Sequence, residues 1–404
     1  MEGPAEGEGN MTKRISFARI CLALLAVGSF ARAAHAEDTV KIGFIAPSTG
    51  QFAQIGAMMI AGAKYFMAVN GVSIAGKKIE LLIKDDGSQP DNAKRIAQEF
   101  IVNDRVAVLG GFTFTPVALA VAPLATEAKI PQVVMAAGTS IITEKSPYIA
   151  RTFYTIAQAA VPMAQWAAQN NIKKVATVVS DYAPGYDAEQ AFGDELKKNG
   201  GEIVANIRVP VQSPDFAPSL QRARDANPNG IFVFIPASMA GTFARQYAER
   251  GLNASGVRLM GTLDLTDDDL LPGMGDPAIG IITAGPYSAA HMSPQNQAFV
   301  AGFTKFAGKR PNHVAESVYD GMRLIYEALN KTGGDTDGDK LIAAMKGMSF
   351  EGPRGPITID ARTRDIVHNI YIRRVERKDG ELYNIEFATF PAVKDPIKKA
   401  EGSR

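Results

Sequence analysis

The chain has 404 residues, a formal net charge of +1, 46% hydrophobic residues and 21% charged residues. That composition fits a globular protein large enough for about two domains and argues against a disordered chain. Near-neutral charge, overall and in every local block, excludes the basic surface needed to track a nucleic-acid backbone.

In chain order, the first element is an export signal. Lys13, Arg14 and Arg19 form a basic leader, Ile20 to Phe30 an apolar core too short to span a bilayer comfortably, and Ala34-His35-Ala36 a small-x-small cleavage site. Cleavage is expected after Ala36, with the product in the periplasm. The segment MEGPAEGEGN before Met11 reads as an addition or a misplaced start. Cys21, the single cysteine, lies inside the apolar core and lacks the Leu-x-small-Cys context of a lipid anchor. The mature chain would therefore fold on a large core without disulfides. No later run is long and apolar enough to cross a bilayer.

From Val40 onward, strand-like and helix-like runs alternate. Val40 to Pro47, Lys78 to Lys84, Ala107 to Gly111 and Gln132 to Ala137 read as strands, with helices at Gly56 to Asn70, Asp91 to Asn103 and Pro116 to Ala128. A second series follows Tyr154. Its strands are Lys174 to Ser180, Glu202 to Val209, Gly230 to Ile235, Val257 to Gly261 and Ile279 to Ala284, and its helices are Asp187 to Asn199, Pro218 to Asp225 and Ala240 to Arg250. Such alternation predicts right-handed βαβ units and parallel sheets covered by helices on both faces, here in two lobes. Helices at Asn296 to Ala307, His313 to Asn330 and Lys340 to Lys346 then precede a hairpin, Asn369 to Glu376 with Leu382 to Thr389, turning at Lys378-Asp379-Gly380. Helices after the second series, then a hairpin, predict that the chain returns to its first lobe and crosses again.

Catalytic signatures are missing. The sequence has no GxSxG elbow, no GxxxxGK[ST] loop, no GxGxxG fingerprint and no mature cysteine nucleophile. His291, His313 and His368 lack metal-ligand spacing. The acidic run Asp264, Asp267, Asp268 and Asp269 reads as a solvated loop and helix start. Asp335-Thr-Asp337-Gly338-Asp339 lacks the oxygen spacing of a calcium loop and reads as a polar turn capping the next helix. Neither an enzyme nor a cofactor is expected.

Binding is a better reading of two strand mouths. In an open α/β sheet, ligands sit beyond the carboxyl ends of the strands, where helix N-termini present free N–H groups. Phe112 to Pro116 occupies one such mouth, with Thr115 as expected N-cap and Pro116 as first helical residue. Capping leaves Phe112, Thr113 and Phe114 unexplained. The next mouth, Ala136-Ala137-Gly138-Thr139-Ser140, combines small residues with hydroxyls. Together they suggest a carboxylate cradle of N–H groups and hydroxyls that needs no arginine.

The ordered segments VKIGFIAPSTG, AGAKYFMAVNG, ELLIKDDGSQPDNA, VAVLGGFTFTPVALAVAPLATEAKIPQV, AAGTS and DYAPGYDAEQAF resemble the branched-chain amino acid type of periplasmic solute-binding protein, the type I group serving ABC importers. The resemblance runs from about Val40 to Phe390. It implies an α/β fold of two Rossmann-like lobes joined by three crossovers, near Phe153, Gly285 and Ala361. The first lobe would hold residues 37–153 and 286–361, the second 154–285 and 362–404 with the hairpin. It also implies a monomer that closes on its ligand and docks on permease subunits.

By position, Thr115 matches the family's hydroxyl residue on the ligand carboxylate, and Ala137, Gly138 and Thr139 its small-small-Thr segment, with Ser140 beside it. Other positions depart from the pattern. The family's ammonium-pairing Glu falls at Leu263, with Asp264 one step on. A first-lobe aromatic falls near Ile55, and a second-lobe aromatic becomes Pro184-Gly185, flanked by Tyr182 and Tyr186. A further aromatic falls at Pro236 or Ala237. A buried ammonium without a carboxylate partner would cost several kcal/mol. With Asp264 in the Glu position an aliphatic amino acid is expected. With Leu263 there, the expected ligand is an aromatic acid such as a benzoate or cinnamate, lined by Phe112, Phe114 and Tyr182. The aromatic acid is the favoured reading. A ligand-sensing domain for signalling is the rival from another class.

Overall fold

The computed structural model describes residue 1, residues 39–213 and residues 215–398. The expected export signal, Cys21 and the cleavage point after Ala36 lie outside the described residues. The first lobe is built from β1 (Thr39–Ile45), α1 (Ala53–Asn70), β2 (Ser73–Ile74), β3 (Lys77–Lys84), α2 (Pro90–Glu99), β4 (Val108–Gly111), α3 (Thr115–Ala128), β5 (Gln132–Val134) and β6 (Ile149–Arg151). Its strands lie in the order β2-β3-β1-β4-β5-β6, parallel except for β2. Near-continuous apolar strands such as TVKIGFI are what a sheet buried on both faces requires.

The chain then crosses through α4 (Ile156–Gln169) into β7 (Lys174–Ser180), α5 (Ala183–Lys198), β8 (Glu202–Val209), α6 (Ala217–Asp225), β9 (Gly230–Phe234), α7 (Ala237–Glu249), β10 (Arg258–Thr262), α8 (Leu271–Met274) and β11 (Ile282–Gly285). Helices α9 (Pro294–Ala307), α10 (His313–Lys331) and α11 (Gly338–Met345) follow, and α10 packs back against α1. Strands β12 (Ser349–Gly352), β13 (Gly355–Ile359), β14 (Ile366–Lys378) and β15 (Glu381–Val393) complete a second sheet in the order β12-β13-β14-β11-β10-β9-β7-β8, with β15 on β14.

Strands β7 to β11 are parallel, while β12 to β15 add antiparallel pairs, the β14–β15 pair being the expected hairpin, so this sheet is mixed. Because β12 and β13 already pair into the second sheet, the last return precedes Ser349 instead of falling near Ala361. A buried ion cluster ties the returning helix to these strands. Arg354 Nε, in the β12–β13 turn, donates to Glu316 Oε1 at 2.8 Å and to Asp320 Oδ2 at 3.2 Å, both on α10.

In each sheet the strand order reverses beside one strand. β1 has β3 on one side and β4 on the other, and β7 has β8 and β9. Such switch points splay the following loops apart and leave a crevice at the strands' carboxyl ends. The two crevices face each other.

Candidate functional site

The mouth of β4 has a backbone that its sequence dictates. Gly111 takes φ +108°, and a Cβ there would lie 2.2 Å from the Ile45 carbonyl oxygen, so only glycine fits. Phe112 follows at φ 70°, a left-handed conformation costing a bulky residue about 1–3 kcal/mol. Its amide donates to Ile45 O at 2.9 Å and its ring is fully buried in the first-lobe core. Phe112 therefore does not line the cleft, contrary to expectation. The tight turn instead swings Thr113, Phe114 and Thr115 into it.

Thr115 is the first residue of α3, and the extended Phe114 is its N-cap with no side-chain capping bond, so the expected Thr115 cap is not formed. Its Oγ1 lies 2.5 Å from Thr139 Oγ1. Thr139 thus stands behind Thr115, out of the lining. The Thr113 hydroxyl donates to the Met59 sulfur at 3.2 Å.

At the β5 mouth, Ala136, Ala137 and Gly138 line the cleft. A Cβ on Gly138 would meet Ile156 Cδ1 at 2.8 Å. Arg151, fully buried at the end of β6, donates from Nη1 to the carbonyls of Ala137 at 3.2 Å and Thr139 at 2.7 Å. In a trans peptide the C=O and the following N–H point oppositely, so this clamp turns the Gly138 and Ser140 amides away from the guanidinium. The Ser140 amide reaches Asp187 Oδ2 at 2.9 Å, across the lobes, so Ser140 is a bridge and not a lining residue. In the first turn of α3, Pro116 has no N–H and the Val117 and Ala118 amides donate to the Phe114 carbonyl at 3.1 and 3.2 Å, so the Gly138 and Thr115 amides are the ones left for an anion.

The rest of the lining is mostly apolar or aromatic. Phe52 and Ile55 follow β1, with Phe52 and Phe114 rings 5.0 Å apart, and Phe153 and Ile156 follow β6. Across the cleft stand Tyr182, Pro184, Phe234, Ile235, Pro236 and Ala237, with Tyr182 and Phe234 stacked at 6.1 Å. Burial, and then the charge of Asp264, push the Tyr182 hydroxyl pKa upward, so it stays protonated.

Asp264 lines the cleft, whereas Leu263 is buried against Gly285, so of the two it is Asp264 that faces a ligand, contrary to the arrangement from which the sequence favours an aromatic acid and in line with the one that predicts an amino acid. Asp264 Oδ2 accepts from Tyr154 Oη at 2.6 Å and Thr262 Oγ1 at 2.9 Å. His313 Nε2 lies 3.7 Å from Asp264 Oδ1, and its Nδ1 is 2.9 Å from Asp267 Oδ1. Burial alone would lower the His313 pKa, but Asp267 and then Asp264 outweigh it and raise it. The run Asp267 to Asp269 is buried among His313, Asn312, Lys309 and Arg373, not solvated as expected. Asp337 does cap the next helix, accepting from the Lys340 amide at 3.0 Å. Tyr186 points outward, exposed and bonded to Asp181 at 2.8 Å, and is no part of the lining.

Between these walls the touching lobes leave a cavity of about 60 Å³. Gln51 and Gln212 meet over its rim at 3.0 Å. A larger groove of about 310 Å³ near Tyr247 and Arg258 lies at the opposite, amino ends of the second-sheet strands and presents no helix N-terminus of that kind. Among the described residues no cluster of His, Cys, Asp and Glu could hold a metal ion.

Sequence reasoning missed Arg151, Phe52, Phe153, Ile156 and Phe234. Only the Thr155–Gln158 capping box, which opens α4 just before Ile156, left a local signal.

Comparison with known proteins gives the following. The family described as periplasmic binding protein matches residues 39–381. A Leu/Ile/Val-binding protein homolog 6 from Brucella suis biovar 1 is 41% identical over 388 residues, covering 95% of this chain and 100% of its own. The solute-binding protein of an ABC transporter from Rhodopseudomonas palustris BisB5, in complex with 3,4-dihydroxybenzoic acid, is 58% identical with a TM-score of 0.88, covering 90% of this chain and 100% of its own. Another R. palustris solute-binding protein, in complex with 4-hydroxybenzoate, is 43% identical with a TM-score of 0.85, covering 89% and 99%.

Proposed function

The chain belongs to the periplasmic binding protein family, in the type I group that includes the Leu/Ile/Val binders, and on that premise we propose that it captures a small aromatic carboxylate between its lobes for an ABC importer. The observation that carries this reading is the pairing of a cationless cradle, Thr115 with the Gly138 amide, with a wall of Phe52, Phe114, Tyr182 and Phe234. Preorganised N–H and hydroxyl donors in a water-poor site hold a carboxylate by charge-assisted bonds. Flat rings on both lobes fit a flat apolar body. The benzoates in the two R. palustris complexes support the same ligand class.

Capture works by closure. A ligand bound to both lobes stabilises the state in which they touch, by its differential affinity for that state. No bond is made or broken in this account. The chain is exported, cleaved after Ala36, acts as a monomer and presents its closed form to permease subunits. Residues 39–153 form one closing body, with the helices from Pro294 to Met345 added to it.

A branched-chain amino acid is the second reading, favoured by the open Asp264 carboxylate and by the Leu/Ile/Val-binding relative. A thermal-shift panel of amino acids, benzoates and cinnamates separates the two. A ligand at a hundred times its dissociation constant stabilises the folded form by about 2.7 kcal/mol. Benzoates are expected to raise the midpoint; stabilisation by leucine with no aromatic acid active rejects the reading.

A further inference from the structure

Resting on the reading of the site as a benzoate-class pocket, we propose that Asp264 selects ring-hydroxylated benzoates by accepting a hydrogen bond from a hydroxyl opposite the ligand's carboxylate. The cradle lies on the first-lobe strand mouths, and Asp264 follows β10 of the second lobe. A benzoate carboxylate and its para substituent sit at opposite ends of a rigid ring. Seating the carboxylate at Thr115 and Gly138 therefore turns the para position toward the second lobe.

Asp264 is the acidic side chain in an otherwise apolar and hydroxyl lining. Its Oδ2 already accepts from Tyr154 and Thr262, which fix the carboxylate's orientation. Among the described residues no donor lies within hydrogen-bond distance of Oδ1, and the side chain keeps 18% of its surface exposed. A buried acceptor facing a bare ring edge would lose its water without replacement, whereas a phenolic O–H restores the bond.

The same surroundings disfavour an ammonium. His313 stands 3.7 Å behind Oδ1 with its buried Nε2 unpartnered, and its charged form already balances the carboxylate. Asp267 and Asp264 hold that imidazole toward protonation against the opposing effect of burial. A second cation at Oδ1 would face His313, while a neutral hydroxyl would not. Tyr154 and His313 act through Asp264 and are positioning residues. The hydroxyl also links the ligand to the second lobe, so closure itself becomes sensitive to it.

The test is a direct titration of wild-type protein with benzoate, 4-fluorobenzoate and 4-hydroxybenzoate, with leucine alongside. Fluorine occupies the para position without donating a proton. 4-Hydroxybenzoate is expected to bind about ten- to a hundredfold more tightly than 4-fluorobenzoate. Asp264→Asn and Asp264→Leu should collapse that ratio toward one. Equal affinity of the two para-substituted ligands in the wild type, or a ratio that survives both substitutions, overturns the role of Asp264 while leaving benzoate capture intact. Binding of leucine with no benzoate bound overturns the capture reading and this inference together.

Discussion

Thr115 concentrates the argument at the scale of the residue. Its hydroxyl pairs with Thr139 at 2.5 Å, so the two form one donor unit whose front member faces the cleft. Thr115→Val should cost about 1 kcal/mol of folding stability, because Thr139 Oγ1 is left buried without its partner. Chemical unfolding of the variant checks this; a loss below the error of the measurement would mean Thr139 is satisfied elsewhere. Most of the cradle was legible because strand-mouth logic depends on local order: Thr113, Phe114, Thr115, Ala137 and Gly138 follow their strands directly. Phe112 was misjudged because nothing in GGFTF reveals a positive φ on a phenylalanine, and that turn buries its ring. Leu263 and Asp264 were separated by one position, and the turn after β10 gives the cleft to the second. Arg151 was invisible for another reason: its carboxylate partner is Asp365, bonded at 2.8 Å and 214 residues away.

Elements were easier to find than to bound. Strands and amphipathic helices announce themselves by period, and nearly all of the βαβ series was placed to within a few residues. Helix α4 was missed because IAQAAVPMAQWAAQ is buried on most sides and carries little polar face. The short strands β6, β12 and β13 were missed because their few residues give no period. Where the sequence does speak, it speaks through sterics. Gly111→Ala would push a methyl onto the Ile45 carbonyl and force a left-handed alanine, at a cost of roughly 1–3 kcal/mol. Because the strain falls at the β4 mouth, ligand affinity should drop along with the thermal midpoint. Retained affinity in the destabilised variant would separate that turn from the site.

At the scale of the whole molecule, buried ionisable groups set the response to pH. Asp267 and Asp264 hold the His313 pKa above its ordinary 6.5 despite burial, so its stabilisation is complete below that value and is lost as pH rises through the folded pKa. Burial, opposed by Arg373, raises Asp268 from 3.8 to about 6, so its stabilisation is complete below 3.8 and is lost as pH rises through about 6. Asp360 runs the other way. Burial would raise it, but the Thr363 amide and Lys394 lower it to about 2, so its contribution is lost as pH falls below 3.8. His368 opposes them: burial and then Arg354 hold its pKa well below 6.5, so its contribution is present above 6.5 and lost as pH falls. The His313 contribution is isolated by comparison with His313→Gln, which should lose more stability relative to wild type near about pH 5 than near about pH 8. Unfolding curves of both proteins across that interval check it; a loss that grows with pH would contradict the sign.

Closure joins these scales, since Ser140 with Asp187 and Gln51 with Gln212 connect the lobes around the one pocket where the cradle and the ring wall meet. The most direct test is titration calorimetry of 4-hydroxybenzoate into wild-type protein and Thr115→Val under the same conditions. Saturable one-to-one binding is predicted, weakened about ten- to a hundredfold by the substitution. Equal affinity in the two proteins, or saturable heat from leucine and none from the benzoate, would contradict the account.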